Sequence, residues 1–132
     1  MEHQETLLDK DAIIIGAISG EVYLDDLVKV GAYYRKKALE LGYRLILDFS
    51  KGVNRVTISE AITYFERKLD AIDERFRTIP LSYVSSEQHY PFFLIMQQAW
   101  QNKGISVMVF KEMDAAIKWF EYHDLPEGFK KK

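Results

Sequence analysis

Leu45-Ile46-Leu47-Asp48-Phe49-Ser50, followed by Lys51-Gly52-Val53-Asn54-Arg55-Val56, is the stretch on which the reading of this chain turns. An apolar strand ends in a carboxylate and a hydroxyl, a short loop follows, and a helix opens at Thr57. In parallel α/β folds, ligands, phosphates and partner proteins meet the sheet at the carboxyl ends of its strands. The segment therefore indicates a fold and the address of a functional surface. It spells out no reaction.

Outward from this junction, strand and helix signals alternate. Upstream, Ala12-Ile13-Ile14-Ile15-Gly16-Ala17-Ile18 is short and β-branched, which favours a buried strand that Ser19-Gly20 breaks. A helix is predicted from Leu24 to Leu41, with Leu24, Leu27, Val28, Gly31, Ala38 and Leu41 on its inner face. Asp25 and Asp26 suit its first turn and Gly42 its end. The strand of the junction itself spans Tyr43 to Phe49.

Downstream, Ile58, Ile62, Phe65, Leu69, Ile72 and Phe76 recur at helical spacing, with Glu66, Arg67, Lys68, Asp70, Glu74 and Arg75 opposite. Thr57 and Glu60 form a capping box, each side chain answering a backbone N–H of the other residue. Leu81 to Ser85 reads as a strand, Pro91 starts a third helix that runs to Asn102 before Gly104, and Ile105 to Phe110 is a strand. A last helix covers Met113 to Tyr122. Glu5 to Leu8, turning at Asp9-Lys10-Asp11, forms a hairpin with the first buried strand. The pattern is (β)βαβαβαβα: one α/β domain with a mostly parallel sheet of four to five strands in sequential order. Its N-terminal edge strand would be antiparallel.

Composition narrows the function classes. A 132-residue chain that is 48% hydrophobic and 14% aromatic suits one packed domain, here residues 1–124, with an irregular tail at 125–132. A formal charge of −2 argues against binding nucleic acid by phosphate neutralisation, and Lys130-Lys131-Lys132 reads as a solvated end. With no cysteine there are no disulfides, thiolate metal sites or cysteine nucleophiles, which fits a reducing compartment. Met1 to Thr6 is polar and shows no secretory signal, and every apolar run is far below the roughly 20 residues needed to span a bilayer. The expectation is a cytoplasmic protein without membrane insertion.

This order of elements resembles the STAS family, the anti-sigma-factor-antagonist (SpoIIAA-like) fold. Three places carry the likeness: Ile13 to Gly20 with the Asp25-Asp26-Leu27 helix start; Leu45 to Ser50 with Gly52-Val53; and Val107 to Phe110 followed by Ala115 to Phe120. The last is especially similar to the bacterial branch that also resembles lipid-carrying CRAL-TRIO domains. The resemblance runs from about residue 5 to 122. It implies a compact sheet with helices packed against it, and a regulatory role. Antagonists of the family carry a phosphorylated serine at the start of the helix after the central strand. Here that region reads Val56-Thr57-Ile58-Ser59-Glu60 without the usual Asp-Ser-Ser-Gly run, and Thr57 or Ser59 is the closest hydroxyl.

The strand ends collect Ser19 and Glu21; Asp48, Ser50, Lys51, Asn54 and Arg55; Ser85, Ser86, Gln88 and His89; then Lys111 and Glu112. On one rim these would make a polar pocket for an anion or phosphorylated partner, with the Thr57 helix adding N–H donors, or simply a wet loop edge. Asp48, between Leu47 and Phe49, needs a partner such as Lys51, Arg55 or a loop N–H, as a loop clamp or as a ligand contact. Thr57 and Ser59 serve as cap and first-turn residues or as phosphorylation sites. His3, His89 and His123 have no metal-ligand spacing, and there is no nucleophile elbow and no Gly-rich phosphate loop.

The third helix is apolar around most of its circumference. Phe92, Phe93, Met96 and Trp100, with Leu94 and Ile95, must meet the rest of the fold, a second subunit or a greasy ligand, and Tyr33, Tyr34, Tyr90 and Trp119 either extend the same surface or are rim and core residues. The sequence thus reads as a non-enzymatic STAS-like binding domain without cofactor, metal or catalytic residues. Its protein partner would be met by Asp48, Ser50, Asn54, Arg55, Thr57 and Ser59, and a homodimer would form through the third helix. The alternative is a carrier or sensor of a small lipid-like ligand held between the sheet and that helix.

Overall fold

The computed structural model describes residues 1–68, 77 and 79–121. Along these run β1 (Glu2–Leu8), β2 (Ile13–Val22), α1 (Leu24–Leu41), β3 (Arg44–Asn54) and α2 (Ile58–Lys68). They are followed by β4 (Leu81–Ser85), α3 (Tyr90–Asn102), β5 (Val107–Phe110) and α4 (Met113–Trp119). One sheet has the order β1-β2-β3-β4-β5. Its β1 is antiparallel to β2, and every other pairing is parallel.

The centre of the sheet explains the unbroken apolar run. Successive strand residues point to opposite faces, and Leu45, Ile46 and Leu47 are each 0% exposed, so β3 is covered on both. Leu45, Leu47 and Phe49 join the larger core with residues of α1, α2 and α3. Right-handed crossovers put those three helices on one face. Ile46 faces the other way and packs with Ile13, Val84, Ala116 and Phe120 beneath α4. There Ser82 Oγ donates to the Ala116 carbonyl (3.2 Å), and Arg44 Nη1 donates to the Phe120 carbonyl (2.8 Å) with its guanidinium over the Phe120 ring.

Several boundaries differ from the sequence reading. The hairpin strand starts at Glu2 rather than Glu5. Ser19-Gly20 does not break β2, nor does β3 stop at Phe49. Past a bulge in β3, where Ala17 pairs with Asp48 but Ser19 with Lys51, the two strands continue as a ribbon to the Val22–Asn54 pair. The loop expected at Lys51 to Asn54 is therefore strand. Conversely, β5 begins at Val107, because the Ile105 N–H closes α3 by donating to the Trp100 carbonyl.

The buried face of α1 runs through Leu27, Val30, Gly31, Tyr34 and Ala38, while Leu24, Val28 and Leu41 are only half-buried. Tyr34 reaches the core because Gly16 has no side chain beneath it: a Cβ there would lie 2.5 Å from the Tyr34 ring. Gly42 ends the helix in the left-handed region, φ 69°. In α2, Ala61 and Phe65 are buried and Ile62 is half-buried, but Ile58 is exposed. Leu69, Ile72 and Phe76, the last turn expected to reach Tyr122, and the tail at 125–132 lie outside the described residues.

Candidate functional site

Two separate groups of residues make the strand-exit end of the sheet, not one converging pocket. Asp48, Ser50 and Lys51 line an open depression of about 410 Å³ with Ser19, Ala17 and the β1 residues Glu2, His3 and Gln4. Within it, Asp48 Oδ1 accepts the Ser50 N–H (2.9 Å), so the carboxylate takes a main-chain N–H at the β3 bulge as its partner. Its neighbours on β2 and β4 are Ala17 and Val84.

Asn54, Arg55, Thr57 and Ser59 sit instead on the passage from ribbon to helix. Asn54 Oδ1 accepts the Val56 N–H (3.0 Å) and its Nδ2 donates to the Val56 carbonyl (3.2 Å), a local clamp on the turn. Its own N–H donates to His89 Nε2 (3.1 Å), which ties this turn to the residue preceding α3 and leaves the neutral imidazole's proton on Nδ1. Arg55 pairs with Glu21 across the ribbon (2.9 Å), both about half exposed. The capping box is formed in both directions: Thr57 N–H to Glu60 Oε1 (2.9 Å) and Glu60 N–H to Thr57 Oγ1 (3.2 Å). Two N–H donors of the α2 start are thus used internally, and the Glu60 carboxylate occupies the position an anion would take. Ser59 is exposed.

The other strand-end residues are dispersed. Ser85 is buried, and its hydroxyl donates to the Ser86 carbonyl (2.9 Å). Lys111 lies over the Tyr90 ring and 3.7 Å from Glu87. Among the described residues no three His, Cys, Asp or Glu side chains are grouped as metal ligands, and no helix is long and apolar enough to cross a membrane.

The surface expected of α3 is occupied by the chain itself. Phe92, Phe93, Met96 and Trp100 are 8%, 2%, 0% and 1% exposed. Phe93 stacks on Tyr83 at 5.5 Å, and Trp100 stacks on Tyr83 at 5.1 Å. An apolar helix surface is consumed by a sheet rich in large side chains, leaving only Leu94 and Ile95 exposed. The space between Phe49, Phe93 and His89 is about 10 Å³, room for no more than a water. That space is too small for a lipid chain. Tyr33, Tyr34, Tyr90 and Trp119 do not extend one surface. Tyr34 is core, Tyr33 is exposed beside it, and Trp119 packs on Phe110 and Phe120 under the opposite face.

Three apolar residues at the strand-exit end escaped the sequence reading: Tyr23 is 53% exposed, Val53 39% and Ile58 38%. Val53 lies in the ribbon and Tyr23 directly follows it. Ile58 opens α2 at the position helical periodicity had placed inside. Among these residues only the ribbon pairing could have disclosed Val53, since it sits in a strand that the sequence does not show as one.

No family model matches the chain, and no curated protein does. Among solved structures it is similar to an uncharacterised protein of the DUF3478 family with a SpoIIAA-like fold from Shewanella loihica PV-4. The TM-score is 0.54 at 11% identity, covering 89% of this chain and 91% of that one. At that identity the likeness speaks for the fold, and it agrees with the strand order and the helix placement above. The chain is an α/β domain with a SpoIIAA-like fold.

Proposed function

We propose that the chain is a non-enzymatic regulatory domain that binds a protein partner with the strand-exit end of its sheet. The observation that supports this reading is the exposure of Tyr23, Val53 and Ile58 at that end, on a frame whose polar groups are engaged with one another. Large apolar side chains ringed by polar ones are what protein contacts use. Asn54 and Thr57 hold the backbone. Arg55 and Ser59 are the polar neighbours that a partner meets, and Asp48 and Ser50 border the same end from the depression side. His89 and Asp48 are committed to main-chain hydrogen bonds, an arrangement that favours binding over catalysis.

The test is affinity purification from the source cell with quantitative mass spectrometry, comparing the natural chain with Val53→Asp, Ile58→Asp and Arg55→Glu. A partner whose recovery falls in all three, and is unchanged by Leu94→Asp on α3, supports the reading. Recovery that is unchanged in the first three refutes it.

A further inference from the structure

We propose that the outer edge of β1 is a self-association edge, on which a second copy of this chain lays its own β1 antiparallel, centred on Gln4. The sheet ends in two edges, β1 and β5, and they are treated differently. At β5, which has four residues, two glutamines one turn apart on α3 bind the outer backbone. Gln97 Oε1 accepts the Val109 N–H (2.7 Å) and Gln101 Nε2 donates to the Val107 carbonyl (2.8 Å). A further strand cannot pair there without displacing both.

At β1 nothing comparable exists among the described residues. The strand is seven residues long, is paired with β2 in unbroken register and contains no proline, glycine or lysine. Beyond that pairing, the turn bond from Asp11 N–H to the Leu8 carbonyl is its further main-chain contact. Edges that must stay single are shortened, bulged, covered or charged with lysine. This one is long and regular, its charges are the carboxylates of Glu2 and Glu5, and it is uncovered among the described residues.

The occupant follows from register. A two-fold axis perpendicular to the sheet keeps each residue on its own face, so a copy of β1 can centre only on a single residue facing itself. Centring on Glu5 sets two carboxylates opposite each other, centring on His3 sets two imidazoles together, and centring on Thr6 sets Glu5 opposite Leu7 and Gln4 opposite Leu8. Centring on Gln4 places His3 opposite Glu5, Glu2 opposite Thr6 and Met1 opposite Leu7. No like charges meet. Met1 and Leu7, each 40% exposed in the single chain, cover one another at both ends. His3 and Glu5 are already held in place on the α1 side, His3 Nδ1 by the Tyr34 hydroxyl (2.8 Å) and Glu5 by Lys37. The strand therefore presents this pattern without having to be ordered first.

Sedimentation velocity of the full chain over a wide concentration range is expected to show a monomer–dimer equilibrium. Thr6→Glu sets a carboxylate opposite Glu2 twice per dimer and is expected to weaken association about tenfold. Adding Glu2→Lys to Thr6→Glu is expected to restore it. The natural chain has no cysteine, so a single introduced thiol reports the register. Facing residues lie about 4.5–5.5 Å apart at Cα, within disulfide reach. Under mild oxidation Gln4→Cys is expected to crosslink with itself. Glu2→Cys and Thr6→Cys are expected to crosslink only when mixed. Circular dichroism melts show whether each variant folds. A chain that is monomeric throughout, a dimer indifferent to Thr6→Glu, or a folded Gln4→Cys dimer that does not crosslink would each overturn the proposal.

Discussion

Replacing Gly16 by alanine drives a methyl group into the ring of Tyr34. The added Cβ would sit 2.5 Å from Cε2 and 2.7 Å from Cδ2 and Cζ. Carbon atoms pack at about 3.5–4.0 Å, so the overlap is about 1 Å. Neither side can retreat cheaply. Gly16 is paired on both flanks, to Glu5 of β1 and Leu47 of β3, and Tyr34 is 0% exposed beneath α1. Forced overpacking costs roughly 1–3 kcal/mol. A displaced ring also loses the His3–Tyr34 hydrogen bond, which is worth about 0.5–1.5 kcal/mol. The expected destabilisation is thus about 2–4 kcal/mol, a large part of the roughly 5–15 kcal/mol that holds a domain together.

Urea unfolding followed by tryptophan fluorescence measures it, and the melting temperature is expected to fall by roughly 8–16 °C. Two controls separate the causes. Tyr34→Phe keeps the ring carbons and removes only the hydroxyl, so it is expected to cost about 1 kcal/mol. Combining Gly16→Ala with Tyr34→Leu relieves the clash, so the pair is expected to cost at least about 1 kcal/mol less than the sum of the singles. A Gly16→Ala variant within about 0.5 kcal/mol of the natural chain, or strict additivity of the pair, would refute the steric argument.

Thr57→Ala removes one arm of the capping box and is expected to cost about 1 kcal/mol in urea titration, while Ser59→Ala, exposed beside it, is expected to cost nothing measurable. Gln97→Ala unmasks the Val109 N–H. It is expected to lower stability by about 0.5–1.5 kcal/mol and to raise light scattering on heating, because the β5 edge becomes free to pair. Ala12 is held at φ 53°, a conformation costing about 1–2 kcal/mol for a residue with a side chain, so Ala12→Gly is expected to stabilise the hairpin turn despite glycine's greater freedom when unfolded; a lower urea midpoint would contradict this. Burial above all, with the Glu5 carboxylate next, pushes the Tyr34 phenol up to about 12. The folded state thus holds this proton more tightly than the unfolded chain, whose phenols titrate near about 10. The stabilisation is complete below that value and is lost as pH rises through the folded one, so Tyr34→Phe is expected to flatten the alkaline fall in urea midpoint, and an equal slope in both proteins would count against it.

What the sequence by itself determined is whatever contiguous residues decide among themselves. Leu45-Ile46-Leu47 reads as a buried strand, and the alternation of strand and helix signals around it implies the parallel sheet. Thr57 and Glu60 close their hydrogen bonds within one helical turn, and Gly42 ends α1 through its own backbone freedom. Those elements were legible because their partners are neighbours in the chain. What only the tertiary structure decided depends on residues far apart. Lys51 to Asn54 become strand because Ser19 to Val22 lie beside them, which carries Val53 to the surface. Tyr34 enters the core because Gly16, on another element, leaves room. The greasy α3 proves to be interior because Tyr83 stacks and Phe49 packs against it, and His89 becomes an acceptor because the Asn54 turn reaches it. Hydrophobic pattern sets how much surface each element must bury. Which neighbour buries it, and what stays exposed at Tyr23, Val53 and Ile58, is settled by packing between elements that the chain brings together only on folding.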